Sequence, residues 1–464
     1  MDMTDLTAAD LCRAMSEGRL QPSEVMEATL DRIGAVNPKV NAIVALRDGD
    51  DLLAEARALD GATPTGPLFG LPVAVKDLQA TKDLRTTWGS PLYADHVPQA
   101  DDLLPRRLRA AGAIIIGKTN TPEMGLGSHT YNPVYGTTRN PWNPKRTPGG
   151  SSGGAAVALA TAMLKVADGS DMMGSLRNPA AWCGVYGLRP SFGLVPEDPG
   201  PDKFLHQIST DGPMARVPSD LTLLLDVLAA PDPRWPYSVA RLPVAPGLKG
   251  KRIGWLADWG GAWPFEEGLL DLCEDALARM EAAGAVVERL APPVSREEIW
   301  DGWTTLRSLS IAGANEADYA SPNARAQMKE ALIWEIERGL ALTGADIRRA
   351  SAARARTFAA LSELFRTYDA LALPTTQVWP FPVETVHPTE IAGVAMDTYH
   401  RWMECMTPVS LTGLPALSVP VGFGAAGLPA GMQLIGPKGG DDRLIALATA
   451  WHEVSDWARH APPI

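Results

Sequence analysis

The sequence predicts an α/β protein organised around a layered sheet, and three observations carry that prediction. From Gly70 onward, short apolar β-rich runs ("LPVAVKD", "GAIIIGKT", "VYGLRP") alternate with longer helical ones such as "GAAVALATAMLKVA", the rhythm of strands covered by helices. A second unit of the same kind follows a Pro-rich break: strand "KRIGWLAD", helix "EEGLLDLCEDALARMEAAG" and strand "AVVERL". Finally, 464 residues with 45% apolar content can bury a sizeable core, as one large domain with insertions or as two domains.

Taken in order, the first 45 residues read as two helices, with Thr7 and Ser23 as N-caps and Met26, Leu30 and Ile33 at helical spacing. The Pro-rich "APDPRWPYSVARLPVAPGLKG" reads as a loop, and residues 299–365 are helical in pattern almost throughout. Seven of the 14 tryptophans fall between Trp235 and Trp334. A second core is the favoured reading for them, because large aromatics mostly serve packing, with an aromatic-lined cap over a pocket as the alternative. The chain closes on two strand-like runs, "LTGLPALSVPVGF" and "GLPAGMQLIG".

Bulk properties remove several function classes. A formal charge of −12 argues against a nucleic-acid or anionic-membrane partner. Cys12, Cys183, Cys273 and Cys405 are scattered, with neither C-x-x-C spacing nor clustered histidines, so they suggest no zinc site and no disulfide framework. No run reaches the roughly 18 apolar residues of a membrane span, and the acidic, amphipathic start is unlike a signal peptide. The expectation is a cytoplasmic protein with free thiols.

Two motifs match by letter and fail on physics. "GAIIIGKT" (Gly112 to Thr119) fits the phosphate-binding loop pattern, but its stiff β-branched isoleucines read as the strand itself rather than as a loop curling around phosphate. "GSSGG" around Ser152 fits the nucleophile elbow, which needs a strand running into it. A Pro-rich loop, "RNPWNPKRTPGG", precedes it instead. None of the later histidines, His206, His387, His400, His452 and His460, has a recognisable catalytic setting.

Three further segments fit one chemistry. Lys76 ends an apolar run, where desolvation favours the neutral amine and makes it a candidate base; an ammonium reaching out to solvent is the plainer reading of that segment alone. Ser151 and Ser152 sit between glycines in "TPGGSSGG", where unusual dihedrals can hold a hydroxyl at a fixed point. In "GSDMMGSLRNP", Ser175 follows a turn whose N–H groups could bind an oxyanion.

These segments, with "GPLFGLPVAVKD", "YGTTRNPWNP", "STDGPMAR" and "DALALPTT", resemble the amidase signature family of Ser–Ser–Lys hydrolases. The resemblance covers most of the chain except about residues 230–365. It implies one α/β domain over residues 1–464, three-layered (α/β/α) around a mixed, largely parallel twisted sheet. Residues 66–220 form its catalytic core, and residues 230–365 a variable helical region that shapes the substrate entrance. The base falls on Lys76, the bridging serine on Ser151 after a cis Gly150–Ser151 peptide, and the nucleophile on Ser175. Met172, Met173 and Gly174 fall in the oxyanion hole, Ser152, Asp171 and Arg177 support the turn, and Gly125 and Leu126 line the acyl side of the pocket. One departure stands out: Met173 replaces the first of two glycines usual before the nucleophile, so the approach should be reshaped.

The implied reaction needs neither metal nor organic cofactor. Ser175 attacks the carbonyl while Ser151 and neutral Lys76 relay its proton, and water then releases the acyl group. The expected partner is a small amide, aromatic or apolar, or a carbamate or ester; a homodimer is compatible with the N-terminal helices. A glutamine-dependent tRNA amidotransferase component is the alternative, weakened because no "YDGxR"-type stretch is present.

Overall fold

Thr7 opens helix α1 (Ala8–Ser16) by accepting the Asp10 N–H on its hydroxyl. Helix α2 (Pro22–Val40) starts two residues earlier than Ser23 as a cap suggests. Pro22, pre-organised for the first helical position, shifts the cap to Gln21, whose N–H is taken by Glu24 at 2.7 Å. Ser23 instead donates its hydroxyl to Asp60 at 2.6 Å. This computed structural model describes residues 3, 5–198, 202–245, 247–455, 457 and 460–464.

Two sheets follow. The smaller has β1 (Ile43–Val44), β2 (Pro72–Lys76) and β3 (Ile114–Thr119), with β3 in the middle, parallel to β2 and antiparallel to β1. Ile114, Ile115 and Ile116 are strand residues, all buried, so "GAIIIGKT" forms no phosphate loop.

The larger sheet has eight strands: β4 (Val166–Asp171), β5 (Tyr186–Arg189), β6 (Thr210–Ala215), β7 (Arg252–Trp255), β8 (Val286–Arg289), β9 (Ala370–Pro374), β10 (Ala416–Phe423) and β11 (Pro429–Ile435). Their spatial order is β8-β7-β9-β11-β10-β5-β6-β4. The sheet is mixed, but the expectation that it is largely parallel is corrected. Only β8–β7 and β7–β9 pair in parallel; the other neighbours are antiparallel. Parallel pairing needs a crossover connection, which the helix Leu269–Ala282 supplies between β7 and β8. The short turn between β10 and β11 can only return the chain antiparallel.

Alternation along the strands divides two cores between the faces of this sheet. Leu417, Val419 and Leu434 join the helix Asp441–Val454, through Leu444 and Trp451, on one side. Ala416, Ile435, Leu371 and Leu373 meet Trp182 and Trp303 on the other. Three layers result. The tryptophans of the helical stretch mostly pack: Trp259, Trp263, Trp300 and Trp303 lie in the second core with Trp182 and Trp402. Trp334 is the exception, 39% exposed on a cavity wall. No described helix is long and apolar enough to cross a membrane, and all four cysteines are free and buried.

A seam between the two sheets positions the site. Helix α3 (Gly153–Ala160, "GGAAVALA") is buried along its whole length and touches strands of both sheets. Its small side chains allow that close approach. Across the seam, the Lys76 N–H of β2 donates to the Asp168 carboxylate of β4 at 3.1 and 3.2 Å.

Candidate active site

Lys76 is the last residue of β2 and is 1% exposed. Its ammonium does not reach out to solvent; Nζ lies 2.8 Å from Ser151 Oγ, 2.9 Å from Ser152 Oγ and 3.0 Å from Ser170 Oγ. Burial lowers its pKa from the usual lysine range to about 8, against the opposing pull of Asp168, Asp211 and Asp171. Asp168 is pushed the other way, up to about 6, again by burial, with the Lys76 N–H and the nearby lysines resisting.

The glycine-rich loop carrying Ser151 is clamped rather than free. The Ser128 hydroxyl donates to the Gly150 carbonyl at 2.5 Å and accepts the Gly150 N–H at 3.2 Å, while Thr130 Oγ1 donates to the Gly149 carbonyl at 2.7 Å. The Gly150–Ser151 peptide is cis. Gly169, on β4, has to be a glycine: a Cβ there would stand 2.5 Å from Ser152 Oγ. Ser152 holds Lys76 and precedes α3, and the loop before it contains no strand, so it is not a nucleophile elbow.

Ser175 stands in the turn between β4 and α4 (Arg177–Cys183), and its carbonyl accepts the Ser152 N–H at 3.1 Å. Asp171 organises this turn. Its carboxylate takes the N–H of Gly174 at 2.8 Å and of Leu176 at 3.2 Å, and the Arg177 guanidinium grips it from Nε at 3.0 Å and Nη2 at 2.9 Å. Arg177 is itself fixed by Gln433 at 2.7 Å and Ser410 at 3.0 Å. Burial alone would raise the Asp171 carboxyl; Arg177 and Arg189 outweigh it and hold the group well below the usual carboxylate range.

One expectation changes here. The Gly174 N–H, expected to face an oxyanion, is committed to Asp171 Oδ1. Its φ of +84° is what turns it toward the carboxylate, a conformation natural to glycine. Among the described residues, no hydrogen bond takes the N–H of Met172, Met173 or Ser175.

Ser151, Ser175, Ser170, Met172, Met173, Gly125 and Leu126 share one inner cavity of about 110 Å³. Met173 is 4% exposed and packs into the second core as well as lining the cavity. A Cβ on Gly125 would meet Leu78 at 2.9 Å and sit 3.6 Å from Ser151 Oγ. Leu126 and Gly127 also border an outer cavity of about 510 Å³ with aromatic walls from Tyr131, Trp334, Tyr399 and Trp402. Among the described residues, no group of three or more His, Cys, Asp or Glu side chains could hold a metal.

Sequence reasoning missed Ser170 and Asp168, although period-2 alternation on β4 sets them on one face. It also missed Arg307, which lines the inner cavity from the helical region and had no local motif to mark it.

Comparison with known proteins gives the family. A family profile described as amidase matches residues 24–445. The chain is 34% identical to an acylamidase of Rhodococcus erythropolis, over 98% of this chain and 97% of that one. It is 36% identical to a glutamyl-tRNA(Gln) amidotransferase subunit from Thermus thermophilus, over 99% of each. A bacterial aryl acylamidase of the amidase signature family has a crystal structure that superposes with a TM-score of 0.90, at 30% identity over 98% of this chain and 97% of its own. With a profile spanning nine-tenths of its length and a fold shared from end to end, the chain belongs to the amidase signature family and is an amide hydrolase.

Proposed function

We propose that the protein cleaves a small amide with Ser175 as nucleophile, Ser151 as proton bridge and Lys76 as base. One observation carries this reading: a buried lysine whose Nζ, among the described residues, hydrogen-bonds three hydroxyls, Ser151 at 2.8 Å among them, beside a cavity that Ser151 and Ser175 line. A pKa near 8 leaves about a tenth of the amine neutral at pH 7, enough to accept a proton in a transition state. The proton passes from Ser175 through Ser151 to Lys76 and returns to the leaving nitrogen; water repeats the relay to free the acyl group. The N–H groups of Met172, Met173 and Ser175 are the oxyanion donors, while Ser152, Asp171 and Arg177 hold the frame. This role for Asp171 and Arg177 requires no contact with substrate.

The inner cavity suits a short acyl group, since a cavity of about 150 Å³ is what a benzene needs. The larger, aromatic outer cavity suits an apolar or aryl amine. An acylamidase and an aryl acylamidase among the similar proteins support an aryl amide as substrate. The same triad chemistry applies to carbamates and esters, so relative kcat/KM on matched aryl amides, aliphatic amides, carbamates and esters is the deciding measurement. Mass spectrometry of an acyl adduct on Ser175 tests the nucleophile. If Ser175→Ala turns over at the parent rate, the mechanism is wrong.

The amidotransferase relatives favour a second reading, glutamine hydrolysis within a complex. Glutamate release from glutamine on adding partner proteins would support it; aryl-amide turnover by the chain alone supports the first.

A further inference from the structure

Among the described residues lining the inner cavity, Arg307 is the one with a formal charge besides the reach of Lys76 behind Ser151. It comes from helix Arg296–Ala320 and is 4% exposed. Two of its nitrogens are firmly bound: Nε donates to Glu335 Oε1 at 2.6 Å and Nη2 to the Tyr399 hydroxyl at 2.8 Å. Glu335 is fixed in turn by Ser308 at 2.6 Å and Tyr399 at 2.8 Å. The Trp303 ring lies 5.2 Å from the guanidinium carbon. This frame leaves the fork no freedom to turn away.

Nη1 is different. Among the described residues, its one partner is the thioether sulfur of Met172, at 3.1 Å. A guanidinium carries five N–H donors, and a thioether is a weak acceptor. A charged donor buried without an oxygen is costly, yet here it belongs to a residue that lines, with Met172, Ile311 and four serines, the wall of the inner cavity.

Building on the proposed amide hydrolysis, with the acyl group in the inner cavity, we infer that Arg307 is a specificity-determining residue. Its Nη1 donates to an oxygen acceptor carried on the acyl part of the substrate. The favoured acyl groups therefore bear an ether, hydroxyl or carbonyl oxygen beyond the scissile carbonyl. Glu335 already neutralises the guanidinium, so a neutral acceptor suffices.

The test compares N-phenyl methoxyacetamide with N-phenylbutanamide, which have equal numbers of heavy atoms and differ by oxygen for methylene. The kcat/KM ratio of the two should fall at least about tenfold from the parent to Arg307→Met, the worth of one charge-assisted hydrogen bond; comparing the same ratio in both proteins cancels intrinsic reactivity. An unchanged ratio overturns the inference. Because Arg307→Met strands a buried Glu335, the double variant Arg307→Met/Glu335→Gln, which removes both charges, is measured alongside and should show the same fall. Calorimetric binding to Ser175→Ala gives a reading free of both chemistry and refolding: the methoxyacetamide should bind at least about tenfold tighter than the butanamide, and equal affinities overturn the inference. Turnover by Ser175→Ala would instead sink the hydrolytic mechanism and leave the binding preference standing on its own result.

Discussion

Two buried ion-pair networks hold the surroundings of the inner cavity, one behind the turn that carries Ser175 and one reaching the cavity wall through Arg307, and they are built in different ways. Asp171, Arg177 and Arg189 lie within 18 residues of one another along the chain and order the turn from which Ser175 projects. Arg307, Glu335 and Tyr399 are gathered across 92 residues and order a stretch of cavity wall that meets that turn at Met172. The first network takes two backbone N–H groups, those of Gly174 and Leu176, onto Asp171 and so fixes chain geometry. The second spends its hydrogen bonds on side chains and leaves one donor facing the cavity. Under the proposed function, the contrast separates a part that makes the chemistry possible from a part that selects what undergoes it.

The largest test of this division is Ser175→Ala, for which we expect a loss of roughly 10⁴- to 10⁶-fold in kcat with thermal stability unchanged, measured by amide turnover and calorimetry. Lys76→Ala should cost about 10²- to 10⁴-fold. The intact enzyme should show kcat/KM falling as pH drops below about 8, because the neutral amine is the active form and its pKa is displaced to that value. A pH–rate profile checks the sign, and Lys76→Ala should lose that limb. Asp171→Asn would show the frame's role: removing one partner of a fully buried pair costs about 3–5 kcal/mol, read as a lowered midpoint in urea, with activity lost alongside stability. The smallest change should come from the selective side. Trp334→Ala removes an exposed aromatic wall of the outer cavity and should raise KM for aryl amides by about tenfold with little change in kcat. Equal losses in kcat would place that wall in the chemistry and blur the comparison.

The same contrast explains what could be read from the sequence. Lys76, Ser151 and Ser175 sit at fixed separations in short segments whose backbones impose their conformation, so motif and resemblance together locate them. Strand β3 was likewise legible because three consecutive isoleucines suit little else. The fate of the Gly174 N–H was not legible, since it depends on where the Asp171 carboxylate folds back. Sheet direction failed for a related reason: strand runs are visible in the pattern, but pairing partners are set by contacts between distant segments. Arg307 lay in helical sequence without any marker, and only the fold sets it beside Met172.

Lys76 belongs to the three-stranded sheet and Ser175 to a turn leaving the eight-stranded one, with the small residues of α3 packed between. The working distance is thus the width of a joint, maintained by two bodies staying in register. Warming that loosens the lesser body should silence turnover a few degrees before the whole chain melts, and residual activity after brief heating, plotted against the calorimetric transition, would reveal that gap.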